Sequence, residues 1–466
     1  MPSPVLDRVV VVMLENRSFD HLLGHLDHGG LVPITPETDN VKDVSDPYGP
    51  RCNVHFWLDN RDVTCDPGHG FADVVRQLTG HDPPLQYDEI DMSGFAWNYA
   101  FRLVDQGEDP SKACEIMGCH TAERVPVLST LAREFAVCSR WFCSVPSETW
   151  PNRLFAHAAQ SDGLVHNEIK LYGHRSVFDA LSDAHISWAV YGGDIPQAAA
   201  YFELNDAFRD RFNTFGEFID DVQEGTLPSY SFVEPRHFRR VESQHPTHSV
   251  TLGDEFLRRV YDALASNPDI WRSTLLLVTH DEHGGFFDRV PPPLAMPPND
   301  QVDEEFGFAF DLLGVRVPAV VVSPYVVRGT VDDELHDHAS IVRTVFDAFG
   351  LDESLTARDE QATSVLPLLV GEPRDPPALP PADVAQTYEL LEAAPVVVLD
   401  DLQASLIQLA SLLDEQRGAA DVAVETGIAG ANAGDTVLDV QLEMLVERFR
   451  ERHLGDRRSR LIEGAG

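Results

Sequence analysis

Continuous runs of Val, Ile and Leu recur along the first 350 residues, separated by stretches with helical patterning. The runs lie at residues 9–14, 135–137, 186–191, 230–233, 275–279 and 317–322. Apolar runs without alternation are typical of strands covered on both faces, and their alternation with helices indicates a parallel sheet. The pattern therefore predicts an α/β fold with a doubly wound, mostly parallel sheet, in which ligands bind beyond the carboxyl ends of the strands.

Three intervals interrupt this pattern. Residues 33–125 are rich in loops and predict an insertion or cap above the sheet, and the proline-broken stretch 291–305 predicts a surface loop. The proline-rich stretch 372–383 reads as a linker. We therefore expect a catalytic domain at 1–371 and a separate C-terminal segment at 384–466.

Large apolar residues recur at helical spacing within that C-terminal segment. They are Leu402, Leu406, Leu409 and Leu413, followed by Leu438, Leu442, Leu445 and Phe449. A stripe of this kind forms the buried face of a helix. It predicts helices that pack on the core or on a second copy of the chain, which would form a homo-oligomer.

The charge balance is strongly acidic. The 466 residues include 76 Asp plus Glu and 35 Lys plus Arg, for a formal net charge of −41. Such a field repels nucleic acid and anionic membrane surfaces, so neither is expected as a partner, although a high-salt environment would suit it. The apolar runs are too short for a transmembrane segment, and the N-terminus lacks a secretion signal. We expect a soluble protein, cytoplasmic as written, or secreted if its N-terminus has been processed.

The cysteines leave two alternatives open. Six of them, at positions 52, 65, 114, 119, 138 and 143, lie in the first third of the chain, without a tandem zinc-binding pattern. Their even number favours some disulfide pairing. Buried or free thiols are the common alternative in a chain of this size.

Acidic side chains follow two of the predicted strands directly. Glu15 and Asn16 come after the run at 9–14, and Asp281 and Glu282 follow the run that ends at Thr279. Carboxylates placed at the same edge of a sheet raise one another's pKa unless a cation neutralises them. The pattern favours a site for a hard divalent cation. Helix capping at Asn16 and a solvated acidic turn are the structural alternatives.

A hydroxyl group occurs where a helix is predicted to begin. Thr149 precedes Pro151 in the first turn of that helix. Free backbone N–H groups and the helix dipole favour a phosphate at such a place. Thr149 is thus a candidate nucleophile, and an ordinary helix cap is the alternative.

Five motifs in this order resemble one family. They are ENRSFDHLLG, TWPNR, HPTHSVTLGDEFL, DEHGGFFDRVPPP and GVRVPAVVVSPYV. Together they resemble the bacterial phosphoesterase family of phospholipases C and a related acid phosphatase, within the alkaline phosphatase superfamily. The resemblance covers about residues 7 to 350. It implies a three-layer α/β/α core and metal-assisted attack of a side-chain hydroxyl on a phosphoester.

The resemblance also assigns roles to residues. Glu15, Asn16, Asp281 and Glu282 match the metal site, which implies one divalent ion, Ca²⁺, Mg²⁺ or Mn²⁺. Thr149 matches the nucleophile, and His69 and His245 match histidines that contact phosphate or transfer protons. Asn152, Arg153 and His248 are expected to bind substrate. Arg289 departs from the pattern, because the family often has His there, which puts a leaving-group or phosphate contact in doubt.

The function that follows is metal-dependent hydrolysis of phosphoric esters through a phosphothreonine intermediate. Acid-phosphatase-like and phospholipase C-like versions are both open, with a small-molecule phosphoester or a phospholipid head group as substrate. The short C-terminal segment favours soluble phosphoesters. Alternatives are phosphotransfer, sulfate-ester hydrolysis, which needs Cys or Ser where Thr149 stands, and a non-catalytic binding protein clamped by metal.

Overall fold

A central sheet of eight strands organises the computed structural model, which describes residues 6–46, 48–57, 62–201, 210–238, 240–382, 384 and 396–453. In spatial order the strands are β12, β6, β11, β10, β1, β9, β7 and β8. Their bounds are β1 Arg8–Leu14, β6 Ala136–Cys138, β7 Trp188–Gly192, β8 Phe212–Thr214, β9 Tyr230–Val233, β10 Thr274–His280, β11 Ala319–Val322 and β12 Thr330–Asp332.

The sheet is mostly parallel, as predicted. Strand β11 runs antiparallel to its neighbours β10 and β6, and the other pairs are parallel. Strands β1 and β10 pair along their whole length, with Leu14 opposite His280 at their carboxyl ends. The apolar residues of both strands are buried, as expected for strands covered on both faces.

Helices cover the sheet in two groups. Helix α8 contacts α4 and α7, and α5 contacts α6 and α10, so the helices form two groups, as in the predicted α/β/α layers. The helix bounds are α1 Phe19–Leu23, α2 Phe71–Thr79, α3 Phe95–Asp105, α4 Pro126–Glu134, α5 Thr149–Ala158, α6 Val177–Asp183, α7 Phe215–Glu224, α8 Val250–Ser266, α9 Pro268–Arg272, α10 Ala339–Phe349, α11 Ala357–Gln361, α12 Asp401–Gln416, α13 Val422–Thr426 and α14 Asp439–His453. Among the described residues, no helix is long and apolar enough to cross a lipid bilayer.

The predicted insertion contains short elements around a hydrophobic cluster of its own. The additional strands are β2 Asp39–Val41, β3 Arg51–Asn53, β4 His55–Trp57 and β5 Gly118–His120, and 3₁₀ helices lie at Tyr87–Glu89 and Pro110–Met117. Helices α2 and α3 supply much of this second cluster. A disulfide joins Cys52 to Cys114, and the other four cysteines are free. Both sequence alternatives for the cysteines therefore hold in part.

The C-terminal segment packs into the main core. Helices α12 and α13 lie between the two strands of a short antiparallel pair, β13 Val396–Val398 and β14 Thr436–Leu438, and α14 follows β14. Seven of the eight residues of the predicted stripes are buried in the same cluster as the central sheet. The prediction for Leu438 is wrong, because this residue ends β14 and is 50% exposed. Division of the chain at the linker stays a prediction.

All six strands predicted from apolar runs are present, with ends that differ by at most two residues. The edge strands β8 and β12 were not predicted. Each has three residues, and Asn213 and Asp332 interrupt their apolar character. A short edge strand needs little apolar surface, so its sequence signal is weak.

Candidate active site

Four residues at the tips of β1 and β10 form what we call the strand-tip group: Glu15, Asn16, Asp281 and Glu282. The register places them side by side, since the Asp281 amide donates to the Leu14 carbonyl at 3.1 Å. The Asn16 amide donates to Asp281 Oδ1 at 2.9 Å. Asn16 has a φ of 55°, a left-handed conformation that Asn tolerates better than most residues. All four side chains are fully buried.

Thr149 lies directly beside this group. It is the first helical residue of α5, and Glu148 is the N-cap. Its hydroxyl donates towards Glu15 Oε2 at 3.2 Å and Asn16 Oδ1 at 3.3 Å. The first turn of α5 thus presents a hydroxyl to the carboxylate and carboxamide oxygens that follow β1.

Arg153, one turn further along α5, neutralises part of the buried negative charge. Its guanidinium pairs with Glu15, with Glu234 at 3.2 Å and with Asp281 at 3.4 Å. Burial raises the pKa of Glu15 well above its usual value, and the positive charge of Arg153 opposes that shift only in part. One arginine therefore faces three carboxylates in a fully buried site.

The strand-tip group has donor atoms that fit a divalent cation. Asp281 Oδ2 and Glu282 Oε1 are buried and have no hydrogen-bond partner among the described residues. Burial raises the pKa of Glu282 well above its usual value. Three carboxylates and a carboxamide form the hard oxygen set that Mg²⁺, Ca²⁺ or Mn²⁺ prefers, and an unpaired buried carboxylate is costly without a cation.

Facing this group is a second one, the histidine group, formed by Asp66, His69, His245 and Asp401. One potential ligand atom from each of the four lies within 4.8 Å of those from the other three. His245 Nε2 donates to Asp401 Oδ1 at 2.9 Å, and His69 Nε2 donates to Asp401 Oδ2 at 3.2 Å. The Nδ1 atoms donate to the carbonyls of Pro67 and Pro246. Both Nε2 atoms are therefore directed at Asp401.

The carboxylates of this group favour charged imidazoles. Burial opposes the charge on His69, but Glu282 and Asp401 outweigh it and raise its pKa well above the usual value. Burial likewise opposes the charge on His245, and Asp400, Asp66 and Asp401 raise its pKa. Burial would raise the pKa of Asp401, yet the two histidines hold it well below the usual range. The group is thus a set of opposite charges.

A further cluster with ligand atoms comprises Cys138, Asp332 and His336. Its atoms are already paired, since His336 Nε2 donates to Asp332 at 2.8 Å and Cys138 donates to the same carboxylate at 3.9 Å. His336 also stacks on Trp141. This cluster therefore has the features of a buried structural contact at the edge of the sheet.

The remaining predicted residues have partners of other kinds. The Asn152 side chain accepts from the Val145 amide and donates to the carbonyls of Val145, Ser147 and Glu148, so its amide fixes the loop before α5. His248 Nε2 donates to Asp400 at 3.2 Å. Substrate contacts of these two residues stay predictions.

Arg289 does not reach the site through its side chain, at least in its described contacts. Its guanidinium donates to the carbonyl of Val32 and lies 3.5 Å from Asp20. The departure from the family pattern thus coincides with a contact to the loop after α1.

Two acidic residues of the site were missed from the sequence. Glu234 comes directly after β9, the strand next to β1, so the rule that identified Glu15 also applies to it. Asp401 lies in the first turn of α12, more than 100 residues after β10. No local signal in the sequence connects a helix beyond the linker with His69 and His245.

Similarity to known proteins identifies the family of this chain. A sequence model described as the Phosphoesterase family matches residues 6–352. The chain belongs to the phosphoesterase family. Membership confirms the resemblance seen in the five motifs and the predicted enzyme class, a phosphoric ester hydrolase.

Several proteins with similar sequences are named phospholipase C. Non-specific phospholipase C3 of Arabidopsis thaliana is 33% identical over 454 residues, covering 88% of this chain and 83% of that protein. Phospholipase C A of Mycobacterium tuberculosis is 30% identical over 402 residues, covering 74% and 73%. A solved structure described as a protein in the alkaline phosphatase superfamily from Vibrio parahaemolyticus is 13% identical, with a TM-score of 0.34, covering 51% of this chain and 64% of that one.

Proposed function

We propose that this phosphoesterase attacks phosphorus with the Thr149 hydroxyl and forms a phosphothreonine, which water then hydrolyses. The observation that carries the proposal is the position of Thr149 Oγ, 3.2 Å from Glu15 and 3.3 Å from Asn16 at the tip of β1. A hydroxyl needs activation to act as a nucleophile, and a cation on the strand-tip group would provide it. The free N–H groups in the first turn of α5 would stabilise the phosphoryl oxygens.

Three further residues contribute to the reaction. His245, whose Nε2 hydrogen is accepted by Asp401 in the structure, transfers this proton to the departing alkoxide as the bond between phosphorus and the leaving oxygen breaks. His69 contacts the phosphoryl group from the other side of Asp401. Arg153 keeps Glu15 and Asp281 in place and offsets their charge. Released phosphate, or a phosphomonoester from a diester, leaves Thr149 regenerated.

The relatives named phospholipase C favour a phosphodiester substrate with a lipid leaving group. The acid-phosphatase alternative predicts a phosphomonoester instead. Assays with a nitrophenyl phosphate and a choline phospholipid separate the two, and a nitrophenyl sulfate tests the sulfate-ester alternative.

The test of the nucleophile is Thr149→Val, with Thr149→Ser as the matched variant that keeps a hydroxyl. We expect Thr149→Val to lose at least about 10³-fold in kcat, because removal of a nucleophile leaves only binding and electrostatic contributions. Thr149→Ser should retain measurable turnover and form a phosphoserine that acid quenching traps. Undiminished turnover of a folded Thr149→Val protein would eliminate this route.

A further inference from the structure

We propose that Asp401 is a specificity-determining residue, whose fixed negative charge disfavours dianionic phosphate monoesters and selects monoanionic phosphodiesters. The inference deepens the proposed function and rests on it, because it requires that phosphate bind between the strand-tip group and the histidine group. It brings the C-terminal segment into the active site, and it names the substrate class that the motifs left open.

The carboxylate of Asp401 is fully engaged by side chains of the site. Oδ1 accepts from His245 Nε2, and Oδ2 accepts from both His69 Nε2 and Asn167 Nδ2, the last at 3.2 Å. Asn167 in turn accepts from the amide of Trp150, the residue after the nucleophile, at 2.9 Å. One hydrogen-bond path therefore connects Asp401 to the first turn of α5.

A phosphate that contacts either histidine must lie close to the Asp401 carboxylate. Their Nδ1 atoms are committed to backbone carbonyls, so only Nε2 can contact a substrate. Both Nε2 atoms point at Asp401. Each Nε2 carries one hydrogen, which Asp401 already accepts, so a phosphoryl oxygen reaches either ring only by sharing that hydrogen and therefore lies next to the carboxylate. Two like charges this close repel each other strongly enough to discriminate between substrates.

The balance of charge around the rings sharpens this effect. Asp66 interacts with both imidazoles, and Asp400 interacts with that of His245 while it also pairs with His248, so carboxylates surround the two rings. A phosphodiester adds one negative charge to this set, whereas an ionised monoester adds two. The second charge meets a region that is already negative, so the monoester is repelled more strongly than the diester.

Packing keeps the Asp401 charge in place. Asp400 caps α12 by accepting from the Gln403 amide at 2.7 Å. The Gln403 side chain donates to the His237 carbonyl at 2.6 Å, and Trp150 Nε1 donates to Ser405 at 2.8 Å. The apolar face of α12 is buried in the main core. The segment therefore holds its carboxylate rigidly, with 24% of that side chain exposed on the open side.

The experiment compares nitrophenyl phosphate with methyl nitrophenyl phosphate, which share a leaving group and differ by one charge. Both are assayed, at a pH where the monoester is dianionic, with the full chain and with Asp401→Asn. Asp401→Glu retains the charge, and Asp269→Asn removes one charge from the exposed first turn of α9 as a matched control. Inhibition by inorganic phosphate, metal content and thermal unfolding are measured for each protein.

We expect Asp401→Asn to raise the ratio of monoester to diester kcat/KM about tenfold and to tighten phosphate inhibition by a similar factor. Asp269→Asn should leave both close to the parent, and Asp401→Glu, which keeps the charge, should still favour the diester whatever its turnover. An equal loss on both substrates, an unchanged ratio or a ratio shifted towards the diester would overturn the proposal. Loss of a bound metal ion from Asp401→Asn would also overturn it, since Asp401 would then be a ligand.

Thr149→Val, assayed alongside, separates this proposal from the one on which it rests. Retained turnover in Thr149→Val rejects the nucleophile, whatever the substrate ratio of Asp401→Asn. Phosphate affinity in the Thr149→Val background reports on the charge of Asp401 without chemistry. If Asp401→Asn does not tighten phosphate binding there, the charge proposal fails by itself.

Discussion

The strand-tip group and the histidine group face each other across the same site, yet they are built in different ways. The first depends on the register of two adjacent parallel strands, so backbone hydrogen bonds fix its four residues. The second gathers a loop before α2, a loop before α8 and the first turn of α12, which meet only through side chains. The edge of the sheet therefore positions charged side chains, and the segments above the sheet determine which groups those side chains interact with.

The largest effect should follow from the strand-tip group. Asp281→Asn removes a carboxylate whose buried Oδ2 accepts no hydrogen bond among the described residues and lies 3.4 Å from Arg153, and it weakens any cation bound there. We expect loss of the bound divalent metal and at least roughly a 10³-fold fall in kcat, since a cation contributes several kcal/mol to the transition state. Metal analysis and turnover measure the change, with Asp262→Asn on the exposed face of α8 as control. If Asp281→Asn retains its metal at full occupancy, the cation binds elsewhere. The strand-tip group and the histidine group would then no longer differ in this respect.

Arg153 gives the next largest effect, this time on stability. Arg153→Met leaves Glu15, Asp281 and Glu234 without their buried cation, and removing one partner of a buried pair costs about 3–5 kcal/mol. A divalent metal should restore part of that loss, because it neutralises the same carboxylates. Urea unfolding with and without metal measures both quantities.

Arg316→Met is the matched control for this experiment. Arg316 is a buried arginine that pairs with Asp20 at 3.0 Å and Asp288 at 3.1 Å. We expect a similar destabilisation that metal does not reverse. Equal rescue of both variants would show that the metal acts on the whole protein and not at the strand tips.

A smaller effect is expected in the histidine group. His245→Asn removes the proposed proton donor, and general acid catalysis typically contributes 10²–10⁴-fold. We expect a loss of about 10²-fold for an alkyl phosphoester, and a much smaller one for a nitrophenyl ester, whose leaving group needs no proton. Steady-state kinetics with the two leaving groups measure the difference. Equal losses would mean that His245 binds the phosphate and leaves the proton transfer to another group.

The contrast also explains what the sequence alone could predict. Apolar runs marked six of the eight strands of the central sheet, and the polar residues directly after them identified Glu15 and Asp281, because chain position and spatial position coincide at a strand end. Glu234 follows the same rule after β9 and could have been included. A predicted helix start identified Thr149, and the motif resemblance then supplied His69 and His245, whose loops carry no pattern that folding physics alone would single out.

Asp401 was beyond prediction for a physical reason. Its place beside His245 depends on how a helix after the linker packs on the core, and helix periodicity predicts the buried face of α12 without saying which surface it contacts. The stripe of leucines correctly indicated packing. Only the three-dimensional arrangement brings the first turn of that helix to the two histidines.

The smallest expected effect concerns a histidine that lacks such a carboxylate. His157, in the last turn of α5, is buried among Phe178, Tyr201 and Phe232, and neither ring nitrogen has a hydrogen-bond partner among the described residues. Burial, and then the charge of Arg153, lower its pKa to about 3, whereas His245 beside Asp401 shifts in the opposite direction. The same side chain is thus held neutral in one place and charged in the other.

This difference predicts how stability responds to acid. Below its unfolded pKa of about 6.5, His157 binds a proton only in the unfolded chain, so the folded state loses about 1.4 kcal/mol per pH unit until the folded pKa near 3 is reached. Between pH 6.5 and pH 5 the loss is about 2 kcal/mol. His157→Phe, which keeps an aromatic ring in the cluster, should reduce the fall in unfolding free energy over that interval by this amount, as measured by urea unfolding at both values. If the variant and the parent lose the same unfolding free energy over that interval, burial does not hold His157 neutral. The difference between His157 and His245 would then not be due to a carboxylate partner.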